Sequence, residues 1–320
     1  MENCVTVHDQ QTTSQSASLQ EELLAGLRAT PKTIPPKFFY DWKGSELFNL
    51  ICEQPEYYPT RTEEAILHGF SKDIARLIGD DGILIELGSG ASRKIRLLLE
   101  AMRPVSYLGI DISRDFLIES TQRLAADYPW LEVHAACADF SQPLQIPGAV
   151  RGKRPVAFFP GSSIGNFSPL DAEGFLNELG SLLPPGSGLL IGVDLIKDEA
   201  ILNAAYNDAK GVTAAFNLNL LNRLCKEFDA VVDPDSFSHR AFYNVEQSRI
   251  EMHLVSKVSQ SITVSGESFD FEEGETLHTE NSYKYSVDGF QALALRGGFH
   301  PRALWTDPEN LFSIHYLERV

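Results

Sequence analysis

Paired cysteines and clustered histidines are missing from this chain. Its four cysteines, Cys4, Cys52, Cys137 and Cys225, stand far apart with no C-x-x-C spacing, which argues against a disulfide framework and a zinc site. The eight histidines form no H-x-H or H-E-x-x-H pair, so no metal is expected. Positive charge is scarce as well: 27 Lys and Arg oppose 44 Asp and Glu, for a net charge of −17. A phosphate backbone or an anionic membrane would be repelled, and neither nucleic acid nor membrane is expected as a partner. No run of about eighteen apolar residues and no basic, then apolar leader occurs, so a cytoplasmic protein is expected.

What is present is the making of a core: 43% of the 320 residues are hydrophobic, enough for two domains or one large α/β unit. Residues 1–18, rich in Ser, Thr and Gln, read as a disordered arm. Leu19, Leu23, Leu24 and Leu27 then recur at helical spacing before Pro31, Pro35 and Pro36 force an extended segment. The cluster Phe38, Phe39, Tyr40, Trp42 and Phe48 is too dense for solvent, and its spacing favours a small core over a ligand lid; a helix is expected from about Ser45. In PEYYPTRTEEAILHGF, Thr60 and Glu63 have the spacing of a capping box.

From there strands and helices alternate: strand 83–87, helix 92–102, strand 106–110, helix 114–127, strand 131–136, strand 155–159, helix 170–183 and strand 188–194. That alternation predicts a parallel sheet covered on both faces. The pattern breaks after Lys197: residues 200–228 read as helix and 237–286 as strands, an inserted and mainly antiparallel domain. The tail resumes α/β character with GFQALALRGGF and two strands, 303–305 and 312–317, that could form an edge hairpin.

The strand ILIEL runs into GSGASR. Gly88 and Gly90 let backbone approach a ligand. Asp111 ends the next strand about twenty residues on, where a Rossmann-like sheet offers a carboxylate to ribose hydroxyls. Asp139 ends a third run. Arg93 stands where a dinucleotide fingerprint needs its last glycine, so the pattern favours an S-adenosylmethionine site. A rival motif, Gly161-Ser162-Ser163-Ile164-Gly165, satisfies the G-x-S-x-G elbow of serine hydrolases with Ser163 as nucleophile. Its loop is too long, however, because Ser168 reads as the cap of the next helix and Pro169 as its first residue.

PPKFFYD, PEYYPTRTE, ELGSG, GSSIGNF, DLIKD, YNDAKGVTAAFN, RIEM and Glu280-Asn281-Ser282 together resemble the S-adenosylmethionine-dependent histidine N-alpha-methyltransferases of ergothioneine biosynthesis. The resemblance runs from about Leu19 to the C-terminus. It implies an α/β fold: a class I, Rossmann-like methyltransferase domain (61–199 and 286–320) with a second α+β substrate-binding domain (19–60 and 200–285) that closes over the amino acid. It implies cofactor contacts at Gly88, Lys94, Asp111, Asp139 and Phe140. The histidine pocket would comprise Tyr40, Phe48, Tyr57, Gly161, Asn166, Tyr206, Thr213, Met252, Glu280 and Ser282. Asn166 and Tyr206 would take the α-amino and α-carboxylate groups, and no side chain is singled out as the proton acceptor. The implied cofactor is S-adenosyl-L-methionine, and the implied ligands are L-histidine and its mono- and dimethylated forms on a monomeric enzyme. Two alternatives stand beside this reading: the same chemistry on tryptophan or another indole, and a serine hydrolase acting through Ser163.

Overall fold

The computed structural model describes residues 5–9, 13–79, 82–139, 144–148 and 154–320. Along the chain, strand β1 (Thr6–Asp9) is followed by helices α1 (Thr13–Arg28), α2 (Trp42–Cys52) and α3 (Tyr58–Ile78). Then come β2 (Gly82–Leu87), α4 (Arg96–Met102), β3 (Ser106–Asp111), α5 (Arg114–Asp127), β4 (Glu132–Cys137), β5 (Arg154–Phe159), α6 (Pro169–Leu182) and β6 (Gly188–Asp194). Helices α7 (Glu199–Ala205) and α8 (Val212–Glu227) precede the strands β7 (Phe237–Asn244), β8 (Arg249–Ser256), β9 (Gln260–Val264), β10 (Glu267–Phe271) and β11 (Thr276–Tyr283). Helix α9 (Val287–Arg296), β12 (Phe299–Thr306) and β13 (Phe312–Arg319) close the chain. These elements form two compact units, one of residues 1–10, 59–196 and 283–320, the other of residues 11–58 and 197–282.

Unit one holds an eight-stranded sheet in the order β1-β4-β3-β2-β5-β6-β13-β12. Its first six strands in that order pair in parallel, while β13 runs antiparallel to both β6 and β12. The two faces of β2 divide the core between them. Ile83, Ile85 and Leu87 join Leu108, Phe159 and Phe175 on one side, and Leu84 joins Tyr107, Phe158 and Leu98 on the other. This near-continuous apolar run is what a strand covered on both faces requires. After β2 the chain builds outward through β3 and β4, then returns to place β5 on the other side of β2. That reversal opens a crevice beyond the carboxyl ends of β2 and β5, where ligands of open α/β sheets bind.

Unit two contains a three-stranded sheet, β11-β8-β7, and a separate β9–β10 hairpin. Ser265 and Gly266, at φ +49° and +84°, make the two-residue turn of that hairpin, the backbone that matches strand twist. Asp208 caps α8, accepting from Val212 N and Thr213 N at 2.8 Å each. Among the described residues no helix is long and apolar enough to cross a membrane.

Several expectations need correction. Within the supposed disordered arm of residues 1–18, Thr6–Asp9 pairs in parallel with β4 and α1 begins at Thr13; sheet pairing satisfies backbone groups that a polar composition gave no reason to order. Helix α2 starts at Trp42 rather than near Ser45, because Asp41 Oδ1 accepts from Gly44 N at 2.7 Å. Helix α4 starts at Arg96 rather than about 92, since Ser92 is left-handed at φ +50° and turns fill residues 93–95. Thr60 is no N-cap: α3 already begins at Tyr58. The two tail strands extend to eight residues each, and β13 lies inside the sheet, leaving only β12 at the edge.

Candidate active site

In unit one the loop after β2 turns through Gly88 and Gly90, at φ +68° and +48°. A Cβ added at Gly90 would meet nothing within 4 Å, so the left-handed backbone, not crowding by the protein, is what calls for glycine there. Gly88 N and Ser89 N donate to the Ile110 carbonyl at 2.8 and 3.1 Å, tying the loop to the end of β3. Asp111 completes the tie: Oδ2 accepts from Gly90 N and Oδ1 from Ser113 N, both at 2.9 Å. Burial raises the Asp111 carboxyl above its ordinary range, against the pull of those backbone bonds. A carboxylate oxygen has two acceptor positions, so each oxygen that holds one loop amide retains capacity for a hydroxyl. Asp139 follows β4 by two residues and is half-buried. Phe140 lies outside the described residues.

Lys94, next on the same loop, meets Glu63 Oε2 at 2.5 Å. Glu63 also accepts from Gly161 N, at 3.1 Å on Oε1 and 2.9 Å on Oε2. Gly161 follows β5 with φ +79°, and Ser162 after it is left-handed at φ +57°. The chain then makes a 3-10 turn over Ser163–Asn166, so Asn166 sits at its end, half-buried. Ser163 Oγ donates to the Pro160 carbonyl at 3.1 Å. Helix α6 begins only at Pro169, capped by Ser168. Ser163 therefore lacks the helix N-terminus that an elbow nucleophile requires.

In unit two the aromatic residues expected at a substrate pocket form a connected wall. Tyr40 meets Phe48 edge-on at 5.9 Å between ring centroids, Phe48 meets Tyr57 at 6.3 Å, and Tyr57 meets Tyr206 at 6.2 Å. Edge-to-face spacing of this kind is favourable. The Tyr206 hydroxyl donates to Ser282 Oγ at 2.9 Å. Burial pushes the Tyr57 hydroxyl well above its ordinary range, and Tyr206, Cys52, Glu280 and Tyr40 add to the effect. Glu280 lies on β11, and its carbonyl accepts from His278 Nε2 at 3.0 Å. Met252 is buried on β8, and its carbonyl accepts from Thr279 Oγ1. Thr213 is buried in the first turn of α8.

Two residues escaped the sequence reading. Phe216 of α8 packs on Phe39 at 4.6 Å, Tyr40 at 5.8 Å and Phe48 at 6.1 Å; nothing in its local pattern separates it from ordinary helix core. Glu63 was hidden by its resemblance to a capping residue. A third grouping, Glu251, His253 and His278, brings ligand-type atoms within 4.8 Å of one another. The two imidazoles stack at 4.6 Å and 16°, whereas a metal lies in the plane of each ring that binds it. Arg249 also occupies Glu251 Oε1 at 2.7 Å. Burial alone would raise the Glu251 carboxyl, but bonds from Arg249, Asn244 and His253 outweigh it and hold it at about 2.

A family model described as "Histidine-specific methyltransferase, SAM-dependent" matches residues 19–319. The chain belongs to that family. It is 42% identical over 308 residues to the histidine N-alpha-methyltransferase of Mycolicibacterium smegmatis, covering 94% of this chain and 95% of that protein. It is 40% identical over 304 residues to the histidine N-alpha-methyltransferase of Mycobacterium tuberculosis, covering 93% and 94%. A more distant relative, the 4-dimethylallyltryptophan N-methyltransferase easF of Claviceps purpurea, is 27% identical over 322 residues, covering 91% and 92%. Membership makes S-adenosylmethionine the methyl donor. The glycine loop, its tie to Asp111 and the open space at Gly90 suit such a ligand in unit one.

Proposed function

We propose that this protein methylates the α-amino nitrogen of L-histidine three times, through the mono- and dimethylated forms, to give hercynine, a step of ergothioneine biosynthesis. The observation that carries the proposal is the hydrogen bond from Tyr206 to Ser282 at the end of the aromatic wall, with Glu280 two residues before Ser282 on β11. A neutral imidazole has one N–H and one bare nitrogen. Ser282 brings a hydroxyl suited to the bare nitrogen, and Glu280, two residues before it on β11, brings a carboxylate suited to the N–H. An indole has an N–H that a carboxylate can accept but no bare nitrogen to take a proton from a hydroxyl, so the hydroxyl is what favours the imidazole.

S-adenosylmethionine, when bound, supplies an electrophilic methyl group. The residues of this chain supply position. In the proposed site Gly88, Lys94, Asp111, Asp139 and Phe140 hold the cofactor. The residues proposed for the amino-acid end of histidine are Gly161 and Asn166 in unit one and Tyr206 in unit two. Tyr40, Phe48, Tyr57, Thr213 and Met252 complete the pocket. Because the amine itself is the nucleophile, alignment rather than a protein nucleophile lowers the barrier. As methyl groups accumulate the nitrogen becomes a fixed cation, which aromatic faces hold by cation–π attraction. The same proposal takes the enzyme as a cytoplasmic monomer.

Mass spectrometry of histidine incubated with the protein and S-adenosylmethionine tests the reaction. Successive addition of three methyl groups is expected; methylation of tryptophan in preference to histidine would favour the indole reading, which the Claviceps relative keeps in view.

A further inference from the structure

Glu63 has no part in the roles assigned so far, yet it is fully buried within unit one. An ionised carboxylate is costly to bury unless paired and hydrogen-bonded, and Glu63 has both kinds of partner: the Lys94 ammonium at 2.5 Å and the Gly161 amide at 2.9 and 3.1 Å. Its space is made by another strand. A Cβ on Gly192, in the middle of β6, would fall 2.1 Å from Glu63 Oε1. Four distant segments thus converge on one carboxylate: α3, the loop after β2, the turn after β5, and β6. A buried ion pair adds little net stability over an apolar pair of the same volume. Its placement at the ends of β2 and β5, beside the crevice of the sheet, points to a different use.

We propose that Glu63 is a positioning residue that sets the Lys94 ammonium for the amino-acid half of the cofactor and locks it to the Gly161 turn. The inference rests on the reading of Lys94 as a cofactor contact. The pair is local: a Cβ on Gly161 would stand 3.4 Å from Lys94 Nζ, and the Glu63 carboxylate bridges lysine and turn.

Calorimetry with two ligands separates the possibilities. S-adenosylhomocysteine carries the amino-acid half and 5′-methylthioadenosine lacks it. Glu63→Gln retains an oxygen for Gly161 N but loses the charge that holds Lys94. It is expected to weaken S-adenosylhomocysteine about tenfold or more and 5′-methylthioadenosine less than about twofold. Lys94→Met should give the same split, and the double variant should bind no worse than Lys94→Met alone, because Glu63 acts through the lysine. If Lys94→Met leaves both ligands unchanged, the cofactor role of Lys94 falls and the proposal falls with it. If Lys94→Met shows the split and Glu63→Gln does not, or loses both ligands equally, only the role of Glu63 is overturned. Should Glu63→Gln fail to fold, NMR of the parent protein decides. The Gly161 amide and Lys94 ammonium resonances should shift together on adding S-adenosylhomocysteine and not on adding 5′-methylthioadenosine; a Gly161 amide indifferent to both overturns the proposal.

Discussion

The Tyr206 hydroxyl donates to Ser282 Oγ across 2.9 Å, joining the end of α7 to the end of β11 within unit two. That bond directs the serine proton away from the tyrosine. Tyr206→Phe keeps the ring packing on Tyr57 but removes a partner of Ser282 Oγ, so kcat/KM for histidine should fall by about 1–3 kcal/mol, from several-fold to about a hundredfold. Affinity for S-adenosylhomocysteine should be unchanged. Steady-state kinetics with calorimetry checks both, and an unaltered kcat/KM would remove the serine from imidazole recognition.

Glu280→Ala should cost histidine about 2–4 kcal/mol in kcat/KM, because the imidazole N–H loses a charged acceptor. Phenylalanine, whose ring has no N–H to pair, should be turned over no worse than by the parent. Equal losses for histidine and phenylalanine would show that Glu280 supports the fold and does not read the ring.

Asp111 has a double task, holding the amides of Gly90 and Ser113 and offering acceptors to a ligand. Asp111→Ala should therefore weaken S-adenosylhomocysteine beyond measurement by calorimetry and lower stability by about 1–3 kcal/mol for the amides left unpaired. Wild-type affinity in the variant would place the cofactor elsewhere.

A pH dependence follows from Glu86, buried on β2, where it accepts from Tyr107 at 2.5 Å. Burial pushes its carboxyl from 4.5 up to about 8. Between those values the folded protein binds a proton that the unfolded chain has released, so this group's stabilisation is complete below the lower value and lost as pH rises through the upper one, at up to about 1.4 kcal/mol per pH unit. Glu86→Gln has no proton to lose. Urea melts at a series of pH values should show the parent losing stability relative to the variant between about pH 5 and about pH 8. Parallel profiles would mean that the carboxyl titrates normally.

Ser163→Ala should leave methyl transfer within about a factor of ten, since its hydroxyl donates to the Pro160 carbonyl at 3.1 Å. A loss of several orders of magnitude would restore the nucleophile reading.

Much of unit one could be read from local pattern. The apolar runs that became β2, β3 and β5 are bounded by glycine, acid or proline, and a strand buried on both faces needs little else to declare itself. Asp111 was legible for the same reason, because a carboxylate at a strand end beside a glycine turn is set by neighbours close in sequence. Long motifs, not composition or spacing, identified Tyr206, Glu280 and Ser282. Their hydrogen bond and shared aromatic surroundings join residues up to 76 positions apart.

By itself the sequence determined most of the strands and helices after the N-terminal arm and where the glycine turns fall, since these depend on backbone sterics and on hydrophobic periodicity over a few residues. Only the tertiary structure decided what Glu63 does. In the sequence it has the spacing of a capping residue, but its partners lie 31 residues away at Lys94 and 98 away at Gly161, and its room is provided by the missing side chain of Gly192. The strand at Thr6–Asp9 was decided in the same way, by an open edge of β4 that no local pattern near the N-terminus could announce. A buried charge is defined by what surrounds it, and its surroundings exist only after the chain has folded.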